Sequence, residues 1–156
     1  RTYLQVDRAF WYDEGVRGAA ATDLAIGRVS RHPPADTAGP DQRAILEAYA
    51  VGPEATRQAE RSDSELVEYV LGELEKVHPE IREHVEGATV KAWSRDPYAL
   101  GHVSWPGAGD VTAHLDALKS AHGRIHFAGE HTSVLRSTME GALRSGIRAA
   151  NEVNEA

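Results

Sequence analysis

Residues 124–133 read Arg-Ile-His-Phe-Ala-Gly-Glu-His-Thr-Ser, and residues 137–142 read Ser-Thr-Met-Glu-Gly-Ala. An apolar run, which predicts a strand, ends abruptly in Gly-Glu, and a short polar loop then leads into a helix predicted from about Thr138 to Val153. A glycine lets a backbone or a ligand come close, and the first turn of a helix offers unpaired N–H groups at a positive dipole end. We therefore expect this strand, loop and helix to face an electron-rich ligand.

The clearest helix in the rest of the chain begins with a capping box. Ser62 stands three residues before Glu65, and such a pair satisfies backbone N–H groups at a helix start. The apolar residues that follow recur at helical spacing: Leu66, Val67, Val70, Leu71 and Leu74. The sequence therefore predicts an amphipathic helix that Pro79 interrupts, with its glutamates on a solvated face.

Other segments predict a mixture of strands and helices. Residues 3–6 and 88–93 are rich in β-formers and predict strands, whereas residues 31–40 are rich in Pro, Asp and Gly and predict a loop. Residues 44–49 fit a helix or a strand, and periodicity does not decide between them. A short helix is predicted over residues 111–122. This irregular alternation predicts an α/β or α+β architecture.

Composition narrows the range of partners. The chain has 156 residues, a net charge of −7 and no cysteine. A negative protein does not suit nucleic acid or an anionic membrane, and the absence of cysteine excludes disulfides while leaving secretion and cytoplasm both open. The chain begins with Arg1 and contains no Gly-x-Gly-x-x-Gly, so we expect it to be a piece of a longer protein whose dinucleotide-binding half lies elsewhere.

Four blocks, in matching order and spacing, resemble the flavin-containing amine oxidases, and among them the L-amino-acid oxidases. They are Phe10-Trp11 with residues 13–15, residues 45–49, residues 93–101, and the Gly-Glu strand and helix of residues 129–142. The resemblance implies that residues 1–92 belong to a substrate-binding domain with a mixed sheet. It implies that residues 93–156 return to a Rossmann-like FAD-binding domain as its last strand and helix.

The family also implies an activity and partners. The implied activity is the oxidation of an L-amino acid to a 2-oxo acid, ammonia and hydrogen peroxide. An N-terminal FAD-binding chain or segment of the same oxidase is the implied partner, so a processed subunit and an excerpt both fit, and a hetero- or homo-oligomer is expected. The FAD is expected to be noncovalent, because His102 stands where some relatives attach flavin through cysteine.

The resemblance assigns seven residues to the cofactor. They are Trp93, Gly129, Glu130, Ser137, Thr138, Met139 and Ala142. In the family, the N–H of the residue that matches Met139 points at the N1–C2=O edge of the flavin, where negative charge builds on reduction. Glu130 matches a glutamate that contacts the sugar-like part of FAD, and Trp93 matches a tryptophan near the flavin ring. A purely structural role is the alternative for each.

Four residues are assigned to the substrate side of the flavin. Arg1 falls where the family has a lysine that holds a water beside flavin N5, but arginine cannot accept a proton, so we do not expect a general base there. Tyr49 resembles the tyrosine that hydrogen-bonds the substrate carboxylate in L-amino-acid oxidases. A surface arginine and a half-buried structural tyrosine are the alternatives for Arg1 and Tyr49. Val103 and Thr138 stand where many amine oxidases have aromatic rings, which implies a roomier pocket for a bulky side chain.

Two other functions stay open. A monoamine or polyamine oxidase would have no need of the carboxylate contact of Tyr49. A noncatalytic flavin-binding or interaction domain would explain the departures at Arg1 and Thr138. A metal site is not expected, because the spacing of four histidines fits no compact zinc pattern. These are His114, His122, His126 and His131.

Overall fold

The computed structural model describes residues 1–32 and 41–155, which form two compact units. The first unit is Arg1–Tyr98 and the second is Ala99–Ala156. The expected assignment of the chain to two domains of a longer protein, divided after residue 92, stays a prediction. No helix in the described part of the chain combines the length and the apolar composition needed to cross a bilayer.

The first unit is built on a five-stranded sheet. Its strands are β1 (Thr2–Val6), β2 (Ala20–Ala21), β3 (Arg28–His32), β4 (Ala44–Tyr49) and β5 (Val85–Val90). They lie in the order β2-β3-β4-β1-β5, and neighbouring strands pair antiparallel. The combination of helices and strands confirms the predicted fold class, whereas the sheet that the resemblance implied to be mixed is antiparallel over these five strands.

Alternation along the strands separates a core face of the sheet from an outward face. Successive side chains of a strand point to opposite faces. The core face carries the buried side chains of Leu4, Val29, Leu46 and Ala48. Ile45, Glu47 and Tyr49 of β4 therefore share the outward face, where register places Tyr3 and Ser30 on either side of Glu47.

Three α-helices accompany the sheet among the residues of the first unit that the structure describes. They are α1 (Gly52–Ala59), α2 (Asp63–Leu74) and α3 (Ile81–His84). The predicted capping box is confirmed at the start of α2, where the Ser62 hydroxyl accepts from the N–H of Glu65 and the Glu65 carboxylate accepts from the N–H of Ser62. The buried face of α2 packs against the sheet. Each fully buried leucine or valine of such a face contributes about 1.5–3 kcal/mol, which attaches the helix to the core.

A buried polar cluster lies on the core face of the sheet. Arg31 Nη2 donates to His78 Nε2 at 2.9 Å, and His78 Nδ1 donates to the Glu14 carboxylate at 2.5 Å. A guanidinium can only donate, so His78 carries its proton on Nδ1. Burial lowers the pKa of His78, and the charge of Glu14 only partly opposes this effect. The neutral histidine thus links β3 to the turn that contains Glu14.

Strand pairing explains where the structure departs from the predictions in the first unit. The prediction of a loop over residues 31–40 is wrong at its start, because Arg31 and His32 complete β3. Residues 33–40 lie outside the described part of the chain. The strand predicted over residues 88–93 lies earlier in the chain, because β5 begins at Val85 and ends at Val90. Trp93 lies in a short 3₁₀ turn. Pairing with β1 and β3 makes residues 44–49 a strand, which the sequence left undecided.

The second unit contains α4 (Asp110–Lys119) and α5 (Met139–Glu155), with a 3₁₀ turn at Glu130–Thr132 between them. The predicted last helix is confirmed by α5, whereas α4 ends before His122. The predicted final strand does not form: in the described part of this unit, residues 124–128 make one bridge, between Ile125 and His122. A strand is defined by pairing with a neighbour, and residues 99–155 supply no neighbouring strand for that segment.

The last helix has two unlike sides. Gly141 and Ser145 are buried against the preceding loop. Large apolar side chains elsewhere on α5 are exposed in this chain: Met139, Leu143, Ile147 and Val153. One side of α5 therefore completes the second unit, and the other presents an apolar stripe.

Candidate functional site

The outward face of the first unit brings two predicted site residues together. The guanidinium carbon of Arg1 lies 4.1 Å from the centroid of the Tyr49 ring, and Arg1 also forms an ion pair with Glu47. Strand pairing extends to Arg1, because its backbone carbonyl accepts from the N–H of Lys91 at 2.9 Å. A cation over an aromatic face is attracted by the negative face of the ring. Arg1 and Tyr49 therefore form one cationic, aromatic surface.

Glu47 is a further charged residue of this face that the sequence did not point to. Its side chain is 6% exposed, and its carboxylate accepts from His32 Nε2 at 3.0 Å as well as pairing with Arg1. Burial raises the pKa of the Glu47 carboxyl, but the hydrogen bond from His32 and the charge of Arg1 outweigh burial and hold that pKa below its ordinary value. The sequence did not point to Glu47 because it left residues 44–49 undecided between helix and strand. A strand over these residues places Glu47 on the same face of the sheet as Tyr49.

Trp93 lies just beyond β5 and is 38% exposed. The Lys91 ammonium lies 4.4 Å from the centroid of the indole ring. Because the backbone of Lys91 pairs with Arg1, Trp93 follows directly after the end of the sheet that carries Arg1. A partly exposed indole can offer a ring face to a planar ligand. Its assignment to the flavin ring stays a prediction.

Gly129 occupies a backbone conformation that favours glycine in the second unit. Its φ is 141°, and a Cβ at this position would lie 2.5 Å from the His131 ring. The N–H of Gly129 donates to the Ser145 hydroxyl at 2.8 Å. The glycine therefore turns the chain after the apolar run, and its hydrogen bond fixes that turn to α5.

Glu130 joins three segments of the second unit. One carboxylate oxygen accepts from the N–H of Ser104 at 2.7 Å, and the other accepts from the Ser104 hydroxyl and from the N–H of Ser137, both at 2.8 Å. Burial raises the pKa of the Glu130 carboxyl, but these donors outweigh burial, and the pKa lies below its ordinary value. The sequence predicted Glu130 for the sugar-like part of FAD. It gave no indication of the contact with Ser104.

Thr138 caps α5. Its hydroxyl accepts from the N–H of Gly141 at 3.0 Å and donates to the carbonyl of Leu135 at 2.6 Å. Its backbone carbonyl accepts from the N–H of Ala142 at 3.2 Å. A Cβ on Gly141 would overlap the Leu135 carbonyl oxygen, so glycine permits the loop to lie against the helix. The first N–H groups of α5, beginning with Met139, have no partner within the helix and suit an outside acceptor.

Hydrogen bonds connect the loop before α5 to neighbouring segments of the second unit. Ser137 has a φ of 59°, which is unfavourable for a residue with a side chain. The contact with Glu130 fixes it, and the Ser137 hydroxyl donates to the carbonyl of Ser104 at 3.3 Å. Val103 precedes Ser104 and is partly exposed. The structure therefore ties the loop of Val103 to the loop that leads to Thr138. The assignment of Val103 and Thr138 to the substrate pocket stays a prediction.

The histidines considered as metal ligands do not form a metal-binding group in the described part of the chain. Within residues 1–32 and 41–155, no group of three or more His, Asp or Glu side chains is placed to hold a metal ion. His126 pairs with Glu152 on α5 at 3.2 Å.

Each unit offers a distinct kind of binding chemistry. In the first unit, a fixed guanidinium and a phenol suit a carboxylate, which accepts hydrogen bonds and carries negative charge. In the second unit, the start of α5 offers N–H groups and a positive dipole end to an electron-rich group.

The chain is similar in sequence to a known protein family and to several curated proteins. The model of the family described as flavin containing amine oxidoreductase matches residues 2–154. An L-amino-acid oxidase from Siganus canaliculatus is 33% identical over 157 aligned positions, which cover 97% of this chain and 29% of the relative. An L-glutamate oxidase precursor from Streptomyces viridosporus is 32% identical, with 100% of this chain and 24% of the relative covered. The chain therefore spans less than a third of the length of these curated relatives.

A solved structure shares the fold over nearly the whole chain. Cyclohexylamine oxidase from Brevibacterium oxydans matches with a TM-score of 0.82 over 99% of this chain and 34% of that structure, at 24% sequence identity. At this identity the likeness concerns the fold alone.

Proposed function

The chain belongs to the flavin containing amine oxidoreductase family, and from that membership we propose that it is the C-terminal part of an FAD-dependent L-amino-acid oxidase. The observation that carries the proposal is the placement of Arg1 over Tyr49 on the outward face of the sheet. A fixed cation and a phenol provide attraction and a directed donor for a carboxylate. The names of both curated relatives describe oxidases of carboxylate-bearing substrates, which supports the same substrate class.

The residues toward FAD are proposed from the second unit and from Trp93. The N–H groups at the start of α5, beginning with Met139, would hold the N1–C2=O edge of the flavin. Oriented N–H groups stabilise charge that appears there without needing to reorganise. The cofactor-facing set is completed by Gly129, Glu130, Ser137, Thr138 and Ala142. The binding proposed is noncovalent.

FAD, when bound, would supply a two-electron acceptor for oxidation of the amino acid at Cα; with water and dioxygen, the products would be a 2-oxo acid, ammonia and hydrogen peroxide. The protein residues position the substrate for this chemistry. Tyr49 is proposed to donate to the substrate carboxylate. Arg1 is proposed to act as a fixed cation beside it, since a guanidinium does not accept a proton at ordinary pH.

An N-terminal FAD-binding segment or chain is proposed to complete the site. The relatives are more than three times as long as this chain, which leaves room for a dinucleotide-binding half. Residues 124–128 make one bridge in the described part of their own unit, and α5 exposes an apolar stripe. An exposed apolar stripe favours coverage by further protein.

The test of the function uses the complete protein and its visible spectrum. The protein is mixed anaerobically with a panel of L-amino acids and, separately, with primary amines and polyamines. Bleaching of the flavin bands by L-amino acids alone is the expected result. Bleaching by amines alone would replace the proposal with an amine oxidase. A complete protein that holds flavin but is bleached by neither class would indicate a noncatalytic domain.

Tyr49→Phe is expected to raise KM for L-amino acids on the order of tenfold, because one hydrogen bond to a charged group is lost. The ring and its contact with Arg1 remain, so flavin content should not change. Steady-state kinetics at saturating oxygen measure the effect, with Tyr98→Phe as a matched control because Tyr98 is 96% exposed in this chain. An unchanged KM would remove the main reason for preferring amino acids over amines.

Thr138→Trp is expected to lower kcat/KM for bulky amino acids at least several-fold more than for small ones, because an indole would fill the space proposed in front of the flavin. The substitution also removes the α5 cap, at about 1 kcal/mol. Thr138→Val is therefore the matched control, since it removes the capping hydroxyl without adding a ring. Equal losses for large and small substrates would argue against a pocket that Thr138 widens.

A further inference from the structure

We propose that Glu47 is a positioning residue that holds the Arg1 guanidinium across the Tyr49 ring. The inference concerns the geometry of the pair, and its effect on turnover rests on the proposed function. Three observations converge on it: the burial of Glu47, the shared face of the three side chains, and the contact of Arg1 with both partners.

The burial of Glu47 shows that its charge needs a partner. Glu47 lies at the middle of the sheet, on a strand with neighbours on both sides, and is buried. A buried carboxylate is strongly unfavourable unless it is paired and hydrogen-bonded. Arg1 takes one of its oxygens, and His32 donates to the other at 3.0 Å. The carboxylate is thereby fixed from two directions.

The fold itself gives no reason for a charge at this position. The core face of β4 is formed by other residues, and an apolar side chain on the outward face would be neutral or stabilising compared with a buried ion pair. Glu47 alternates with Ile45 and Tyr49, so its side chain points to the face where Tyr49 and Arg1 lie. We therefore assign the charge of Glu47 to its interaction with the Arg1 guanidinium on that face.

The shape of arginine makes both of its contacts possible at once. A guanidinium is planar and has donors along its edge, so its edge can meet the Glu47 carboxylate while its plane lies against the Tyr49 ring. The ammonium of a lysine is a compact point charge and lacks this division into edge and face. Tyr3 and Ser30 stand beside Glu47 on the neighbouring strands, and neither brings a competing positive charge.

The activity test is a double-mutant cycle in the complete protein. Glu47→Gln keeps the size of the side chain and removes its charge, and it is expected to lower kcat/KM for the best L-amino acid roughly ten- to hundredfold. In an Arg1→Gln background, the same change is expected to cause no further loss, because Glu47 acts through Arg1. Equal losses in both backgrounds would overturn the proposal.

Charge and shape are separated by a conservative variant. Glu47→Asp keeps the carboxylate on a shorter stem, whereas Glu47→Gln keeps the length without the charge. A positioning role through charge predicts that Glu47→Asp retains more activity than Glu47→Gln. A purely structural role predicts the opposite order, which would overturn the inference.

A second readout does not depend on turnover. Phenylglyoxal labels free guanidinium groups, and the rate of labelling at Arg1 is followed by mass spectrometry of the complete protein. Glu47→Gln is expected to raise that rate several-fold relative to the unchanged protein, and an unchanged rate would contradict the proposed contact. Because this readout needs no substrate, it tests the Glu47–Arg1 pair even if the oxidase proposal fails.

Glu86→Gln provides the matched control for both readouts. Glu86 is also a sheet carboxylate paired with an arginine, since it accepts from Arg43 at 2.6 and 2.9 Å on the edge strand β5. It is more exposed than Glu47, and its partners are Gln5 and Arg43, which lie toward the end of β1 opposite Arg1. The control is expected to leave the Arg1 labelling rate unchanged, and a rise equal to that of Glu47→Gln would also overturn the proposal.

Discussion

Glu130→Ala is expected to release most of the flavin from the complete protein and to weaken flavin binding by an order of magnitude or more. The carboxylate accepts from two N–H groups and one hydroxyl, which belong to the loop of Ser104 and to Ser137 at the start of α5. Without it, Ser137 loses the contact that holds its positive φ, and the N–H groups of α5 lose their fixed direction. The absorbance of flavin per protein after gel filtration measures the effect.

Two further variants separate the role of Glu130 from a general effect of lost charge. Glu140→Ala removes an exposed carboxylate that pairs with Arg144 in the first turns of the same helix, and it is expected to retain flavin. Glu130→Gln keeps one acceptor oxygen for three donors and is expected to fall between alanine and the unchanged protein. Full flavin content in Glu130→Ala would show that neither the cofactor nor the α5 loop depends on this carboxylate.

Gly141→Ala is expected to destabilise the protein by about 2–4 kcal/mol and to release flavin as well. The added methyl group would overlap the carbonyl oxygen of Leu135, which is backbone and cannot rotate away as a side chain does. The same carbonyl accepts from the Thr138 hydroxyl, so displacement of the loop would also break the α5 cap. Chemical denaturation, monitored by circular dichroism, measures the loss of stability.

The matched control is the glycine of another helix, Gly72 of α2. A Cβ at Gly72 would meet no atom within 4 Å. Gly72→Ala is therefore expected to stabilise the protein by about 0.5–1 kcal/mol, because alanine loses less backbone freedom in a helix. If Gly141→Ala were as stable as Gly72→Ala, the close approach of Leu135 to α5 would be contradicted.

Local signals predicted those elements whose stability is local. The capping box of Ser62 and Glu65 fixed the start of α2 from the sequence, because the partners lie three residues apart. The last helix was also predicted from a local segment, the small-residue run that follows a polar loop, and α5 confirms it. The segment of residues 44–49 was not decided, since its apolar residues fit both periods, and only pairing with β1 and β3 makes it a strand.

Contacts between distant residues explain what the sequence did not predict. The position of Glu47 became informative only with the strand assignment, and its partner Arg1 lies 46 positions away. Ser104 is separated by 26 positions from Glu130, and no local sequence pattern links the two residues. The segment of residues 124–128 shows the reverse case: its composition predicts a strand, but its own unit supplies no neighbouring strand for pairing.

The alternation of β4 has an evolutionary consequence. Selection for folding acts on substitutions at Ala44, Leu46 and Ala48, which belong to the core. Selection for the chemistry of the outward face acts on substitutions at Glu47 and Tyr49. The two sets can change independently by substitution. An insertion or deletion of a single residue would exchange them, because the side chains of a strand repeat every second position. β4 can therefore diversify in sequence among descendants of this chain while its length stays fixed.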